Sequence, residues 1–340
     1  MKTVYVGMSG GVDSSVSAAL LKKEGYNVVG VYMKNWTKSL PGFNCPWKDD
    51  FQDAKRVAVQ LGIDFKVFDF ESEYKDKVVD YMIDAFKAGI TPNPDVMCNQ
   101  EIKFKLFLEA ALQDGADMIA TGHYAKVKSG KLLRAKDENK DQTYFLYRVT
   151  KEALQKTLFP LGNYTKPEVR KLAKKFGLVT ADKKESMGIC FVGKVGIKEF
   201  LSQYVKTKPG KIIDENGAVI GEHDGAIFYT IGQRHGLEVG GGMPLYVVGK
   251  DMDKNEVYVS FDLSDKKLWR GEIELGGLHW INSEPYNKNV QVRTRHRAPL
   301  VKGKIKGNKV ILDDEIRAIT PGQSAVIYQD QVCLGGGIIA

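Results

Sequence analysis

The sequence predicts a doubly wound α/β domain with a parallel sheet, then a small mostly-β middle domain, then a C-terminal β-barrel. Three observations predict this order. Apolar runs of strand length alternate with helical periodicity through the first part of the chain. Near Gly210 the text changes to short strands and glycine-rich turns. From about Ser264 onward, strand-like runs recur at regular spacing. At 340 residues the chain exceeds one core of typical size, and we divide it at 1–209, 210–263 and 264–340.

Val4 to Met8 reads as a short buried strand and leads into Ser9-Gly10-Gly11-Val12-Asp13-Ser14. Val16, Ala18, Ala19, Leu20 and Leu21 then give an amphipathic helix that stops at Gly25. Strand, glycine turn and helix start together make an anion site. The N–H groups of Gly10, Gly11 and Val12 converge where no Cβ obstructs them. The helix N-terminus adds about half a positive charge. Ser9 and Ser14 offer hydroxyls, and Asp13 offers a carboxylate for Mg²⁺ riding on phosphates. The lysine and spacing of a Walker A loop are absent. The six residues resemble the SGGxDS loop of the ATP pyrophosphatases, which cleave ATP between its α and β phosphates.

Asn27–Met33, Phe65–Phe70 and Asp117–Thr121 read as further strands. Residues 50–61, 74–88 and 102–112 read as helices. In such a sheet the ligand lies at the carboxyl ends of the strands. Ser9, Met33 and Gly122-His123 all fall there, so the adenosine of ATP is expected beside them. Met33 either packs on the purine or fills the core, and the Gly122 backbone approaches closely.

Asn93 can cap a helix that begins at Pro94, where a missing N–H costs nothing. Asp95 and Cys98 then share a face of its first turn. A thiol beside a helix N-terminus is more often thiolate; a nearby Asp opposes that shift but can relay a proton. In this polar, proline-rich turn we read Cys98 as reactive rather than as a buried small hydrophobe. Cys190 lies in Gly188-Ile189-Cys190-Phe191, and on these residues alone it reads as structural.

Four widely spaced cysteines without a CxxC pair argue against a disulfide framework or zinc ribbon. No apolar run approaches the ~20 residues of a membrane span. With no signal peptide at the N-terminus, a cytoplasmic protein without membrane contact is expected. The net charge of +8 is concentrated in two tracts. Residues 121–175 hold fourteen Lys/Arg against five Asp/Glu, and residues 285–312 hold eight against none. Two separated basic tracts suggest a polyanion bound across domains, the alternative being solvated faces. Alternation over Val290–Arg297 puts Arg293, Arg295 and Arg297 on one face, a rail for phosphates.

With these motifs in view, the whole chain resembles the tRNA-specific 2-thiouridylase (MnmA/TrmU) family. The marks are Gly7 to Ser14, Asn93-Pro94-Asp95 with Cys98, Thr121-Gly122-His123-Tyr124, Lys140-Asp141-Gln142, Gly188-Ile189-Cys190-Phe191, Tyr229 to Arg234 and Thr320-Pro321-Gly322-Gln323. The resemblance implies ATP-dependent 2-thiolation of the wobble uridine of tRNA. It implies ATP binding by Gly7, Met8, Ser9, Gly10, Gly11, Val12, Asp13, Ser14, Met33 and Gly122. Cys190 would carry sulfur as a persulfide from a cysteine desulfurase or sulfur relay protein. Cys98 would attack it, leaving a transient Cys98–Cys190 disulfide; direct attack by the persulfide on the base is the variant. Asp95 would act as general acid or base. Asn93, Pro94 and Asp95 would meet the target base, and His123, Lys140, Asp141, Gln142, Arg295, His296 and Gln323 would contact tRNA.

Three departures stand out. His235 replaces a usual lysine after the Tyr229–Arg234 motif, Leu237-Glu238-Val239 departs from glycine-rich text, and Arg295-His296 replaces an Arg-Tyr pair. Cys45 and Cys333 match no family role and read as structural. The rival readings are another ATP pyrophosphatase, such as an amide-forming ligase or a 4-thiouridine synthetase, and a non-catalytic RNA-binding protein that holds ATP.

Overall fold

The computed structural model describes residues 1–38, 45, 47–184, 196–237, 239 and 244–340. Its first sheet is formed by β1 (Thr3–Gly7), β2 (Asn27–Lys34), β3 (Asp64–Asp69), β4 (Met118–Ala120) and β7 (Thr157–Leu158), in the order β3-β2-β1-β4-β7. All pairings are parallel, with Val4 opposite Val28 and Val6 opposite Ala120. Strand alternation divides the core between the two faces. Val4, Val6, Val28 and Tyr32 pack with α1 (Val12–Lys23), α2 (Trp47–Leu61) and the helix Lys166–Lys175. Tyr5, Val29 and Val31 pack against the helical segments between residues 71 and 113. Helices on both faces make this the doubly wound sheet expected.

α1 is more buried than an amphipathic reading implies, from Val12 through Leu21 with Asp13 the half-buried exception. Its three buried serines are satisfied locally. Ser14 and Ser15 donate to the Gly11 carbonyl at 3.1 and 2.8 Å, and Ser17 to that of Asp13 at 2.9 Å. A second departure is the helix after Asn93. It runs unbroken as Pro94–Met97, a π-wound Cys98–Leu106 and Phe107–Gln113, where two separate pieces were expected. β7 has two residues, too few to show a period.

The hairpin of β5 (Lys126–Lys128) and β6 (Lys131–Leu133) turns through Ser129 and Gly130, both at positive φ. The middle sheet has the order β10-β11-β8-β9, with β8 at Gly210–Ile213, β9 at Val219–His223, β10 at Tyr246–Asp251 and β11 at Glu256–Ser260. Tyr229 to Arg234 is not a strand; it follows the 3-10 turn Ala226–Phe228.

Six antiparallel strands then close a barrel. They are β12 (Trp269–Trp280), β13 (Asn289–Arg293), β14 (Val301–Lys306), β15 (Lys309–Arg317), β16 (Ser324–Gln329) and β17 (Val332–Ile339). The order is β12-β15-β14-β13-β16-β17, and β12 pairs with β17. Ile273, Leu275, Val292, Ile305, Val310 and Ile327 fill it. β6 of the first domain adds to the outer part of β17, with Leu132 opposite Cys333, so barrel and first domain share one sheet edge.

Candidate active site and RNA-facing cleft

β2 and β3 lie on one side of β1 and β4 on the other, so the strand order reverses at the carboxyl ends of β1 and β4. The loop Met8–Gly11 and the Thr121–His123 turn lie at this switch point. Gly10 has φ +72°, and a Cβ there would fall 2.2 Å from the Asp50 carbonyl oxygen. No larger residue fits without moving α2. A Cβ on Gly122 would sit 2.8 Å from the Ser14 nitrogen, so the β4 turn presses on the start of α1. α1 is capped by Gly11, with no side chain on its first amides. Among the described residues no side chain caps those N–H groups, and such groups are the donors that an anion needs. Ser9 N donates to Ser14 Oγ at 3.2 Å, which fixes the loop against the helix.

The Asp13 carboxylate is not free. Lys166 Nζ lies 2.8 Å from both its oxygens, and Tyr124 donates to Oδ1 at 2.9 Å. Lys166 is the first residue of a helix fixed by a Thr165–Glu168 capping box, and its amide donates to Asp137. Sequence reading missed this lysine, whose only local sign was a helix start before Pro167. Met33 is half-buried at the end of β2; its Cε would meet a Cβ on Gly7 at 2.9 Å. That contact suits core packing and leaves one flank open.

A second cleft, of about 260 Å³, opens between the first domain and the barrel. Asn93, Pro94 and Asp95 form one wall, Tyr144 and Phe145 another, and His296 and Gln323 the barrel side. Asn93 Oδ1 accepts from Val96 N at 3.3 Å, the cap expected from sequence. Gln323 Nε2 donates to the carbonyls of Thr91 and Pro92 at 3.1 and 2.9 Å, and Thr91 N donates to Pro321 O at 3.1 Å. Thr91 Oγ1 also lies 3.1 Å from Thr230 Oγ1. The 91–95, 229–234 and 320–323 motifs, far apart in sequence, thus form one junction. The His296 ring lies 4.6 Å from that of Phe145. Burial, with the nearby charges of Arg297, Arg293 and Lys140, pushes its pKa down to about 4, so the ring is neutral at pH 7.

Cys98 begins the π-wound stretch and is 1% exposed, packed in the core below the cleft. This corrects the expectation of a thiol in a polar turn: the chain bends its polar residues Asn93 and Asp95 toward the cleft and the thiol inward. Asp95 remains half-buried on the cleft wall. Cys190, with its neighbours 188–191, lies outside the described residues. Cys333 is buried in the barrel–hairpin junction, and Cys45 is half-buried.

Several residues expected to face RNA point elsewhere. His123 is 9% exposed, held between Phe104 and Phe159 with Nδ1 2.8 Å from Thr121 Oγ1. Burial, then the charge of Lys103, holds its pKa well below the ordinary value. Asp141 is 1% exposed and accepts from Ala135 N, Thr143 Oγ1 and Arg293. Both are supports of the fold in this conformation. Gln142 Oε1 accepts from Tyr124 N, while Lys140 is half-buried. The arginine rail is broken. β13 ends at Arg293, which is buried against Asp141 and Tyr328. Arg297 is exposed but takes φ +64° and donates to the Asn139 carbonyl, so of the three only Arg295 is both exposed and without a tie to that carbonyl.

The fold and the glycine loop define an α/β domain of the kind that carries an SGGxDS anion site, joined to a small middle sheet and a β-barrel. Three family profiles match in succession: "tRNA methyl transferase HUP domain" over residues 2–194, "tRNA methyl transferase PRC-barrel domain" over 198–261, and "Aminomethyltransferase beta-barrel domain" over 270–339. The chain is 48% identical to the tRNA-specific 2-thiouridylase MnmA of Bacillus subtilis over 349 residues, covering 99% of this chain and 94% of that one. It is 47% identical to the protein of that name in Listeria monocytogenes, with the same coverage. The chain belongs to the tRNA-specific 2-thiouridylase family. A solved 4-thiouridine synthetase–RNA complex with bound ATP is 16% identical, covering 59% of this chain and 50% of that one. Its TM-score of 0.36 is too low to carry an argument.

Proposed function

We propose a division of labour for the tRNA uridine 2-sulfurtransferase activity that family membership gives this chain. The observation that carries it is the unbroken helix Pro94–Gln113. Its first turn walls the base cleft, Phe104 stacks on His123 beside the β4 turn, and Phe107 packs under Gly7. Cleft wall and phosphate-loop support, Asp95 and Phe107, are therefore twelve residues apart on one continuous helix, roughly 18 Å at about 1.5 Å per residue.

ATP lies at the sheet edge with its phosphates on Gly10, Gly11, Val12 and the hydroxyls of Ser9 and Ser14. The wobble uridine leaves the anticodon stack and enters the cleft between Asn93–Asp95 and the Phe145–His296 pair. Its 2-oxygen attacks the α-phosphorus, the bond to the β-phosphate oxygen breaks, and pyrophosphate leaves. Lys166 is held beside the loop by Asp13 and is a cation placed to meet the departing charge. Mg²⁺ on the phosphates fits Asp13, the one carboxylate in the loop; bound, it would neutralise phosphate charge.

Cys190 receives sulfane sulfur from a cysteine desulfurase or relay protein. The Cys98 thiolate attacks the Cys190 sulfur bonded to it, hydrosulfide is released, and a Cys98–Cys190 disulfide forms. Hydrosulfide adds to the activated carbon, AMP departs with the former 2-oxygen, and a thiol reductant reopens the disulfide. Because Cys98 is covered, this step requires the segment over it to part. Arg295, Lys140 and the exposed lysines of the barrel hold tRNA phosphates. We keep the divisions 1–209, 210–263 and 264–340. We place the reaction in the cytoplasm, where thiols stay reduced; among the described residues no helix is long and apolar enough to cross a membrane. A methyltransfer reading, suggested by the profile descriptions, has no use for an adenylation loop.

Loading with radiolabelled sulfur tests the cysteine roles. Cys190→Ser should accept none yet bind ATP and tRNA. Cys98→Ser should load Cys190 but form no 2-thiouridine when chased with tRNA and ATP. Transfer by Cys98→Ser at the parental rate would replace this route with direct persulfide attack.

A further inference from the structure

Beside the base cleft lies a second cavity, of about 460 Å³, that no part of the reaction above uses. One wall is the segment after β6, with Arg134, Glu138 and Asn139; the other is the barrel segment with Arg293, Arg297 and Leu300. The walls are fixed to each other. Arg134 N donates to Gln331 O at 2.8 Å, Leu133 pairs with Val332, and Arg297 Nε donates to Asn139 O at 2.9 Å.

Arg134 and Arg293 are 8% and 5% exposed. Each has one carboxylate: Glu138, whose side chain is 75% exposed, and Asp141, which is sealed behind Arg293. The Nε atoms of both arginines are buried with no hydrogen-bond partner. Burying guanidinium is costly unless its donors are used. Three arginines therefore line one cavity, two of them with an Nε donor that no group satisfies, and planar, forked donors suit phosphate.

The barrel segment also sets the location. His296 lines the base cleft and Arg297 the cavity, so the two spaces flank one stretch of backbone. Arg293 and Arg297 are both close enough to depress the His296 pKa.

We propose that this cavity holds one phosphodiester of tRNA, the linkage flanking the uridine in the base cleft. The assignment rests on the thiolation reading. Arg134 and Arg297 would hold its non-bridging oxygens, and Glu138 would swing to solvent. The nucleotide is thereby gripped on both sides, base in one cleft and backbone in the other.

The test uses full-length tRNA assembled by ligation, with a single uncharged methylphosphonate on the 5′ or the 3′ side of the wobble uridine. Dissociation constants are measured for the parent, Arg134→Gln, Arg134→Lys and Arg297→Gln. For the parent, one of the two linkages should weaken binding by about tenfold. Each Gln variant should lose a similar factor on unmodified tRNA and no more than about twofold further with that methylphosphonate. Arg134→Lys should keep most of the affinity. Arg297 is exposed, so its variant serves even where Arg134→Gln fails to fold. Penalties that multiply, or a parent indifferent to both linkages, overturn the phosphate site while leaving thiolation intact. A parent that forms no 2-thiouridine on unmodified tRNA with ATP and sulfide removes the reading beneath it.

Discussion

In the phosphate loop the anion-facing backbone lies between Gly7 and Ser14, on one strand–turn–helix unit. In the base cleft the lining comes from residues 92–95, 144–145, 296 and 323 and closes only when the barrel docks. The first can form as soon as β1 and α1 pack, because its geometry is set by local hydrogen bonds such as Ser14 Oγ to Gly11 O. The second depends on contacts such as Gln323 to Thr91, across 232 positions. Chemistry at the loop should therefore respond to changes in single groups, and chemistry at the cleft to changes in docking.

The sharpest break between the two regions is Asp13→Asn. It removes the loop's only carboxylate and releases Lys166 and Tyr124. We expect pyrophosphate release to fall on the order of 100-fold, the scale of losing one preorganised charge in a site, with tRNA affinity within about twofold. Unchanged pyrophosphate release would end the role given to Asp13.

Gln323→Ala probes the other side. It removes two hydrogen bonds and leaves the Thr91 and Pro92 carbonyls without that donor, a loss of about 2 kcal/mol. We expect kcat/KM for tRNA to fall by roughly tenfold or more, with ATP affinity unmoved. Equal losses on both substrates would show that loop and cleft are one unit.

Much of this difference was legible in the sequence, and unevenly so. The loop, the Asn93 cap and the doubly wound order follow from local patterns. Lys166 did not, because it meets Asp13 across 153 positions and no periodicity carries that pairing. The arginine rail failed for a related reason. Alternation predicts faces only while the strand lasts, and β13 ends at Arg293 where Asp141 captures it. The burial of Asp141 and His123 was likewise hidden, since polar residues in a motif look alike whether they face RNA or support the fold. β12 was legible and overlooked: Glu272 and Glu274 alternate with the inward Ile273 and Leu275.

The smallest expected effect concerns His296. Its folded pKa of about 4 lies below the ordinary 6.5. Between these values the unfolded chain binds a proton that the folded ring refuses, so stability falls as pH drops through that window. Allowing for screening of a half-buried ring, the loss from pH 7 to 5 is about 1 kcal/mol. Thermal melting of the parent and His296→Gln at both pH values checks it: the variant should lose less than the parent. A parallel fall in both would assign the acid sensitivity to other groups.

The central claim is that loop and cleft act on one uridine. Its most direct test is mass spectrometry of nucleosides from unmodified tRNA incubated with the purified protein, sulfide and either ATP or a non-cleavable α,β-methylene analogue. The account predicts 2-thiouridine at the wobble position with ATP, none with the analogue, and none with Asp13→Asn on the same timescale. Thiolation that proceeds equally with the analogue, or none with ATP, would contradict it.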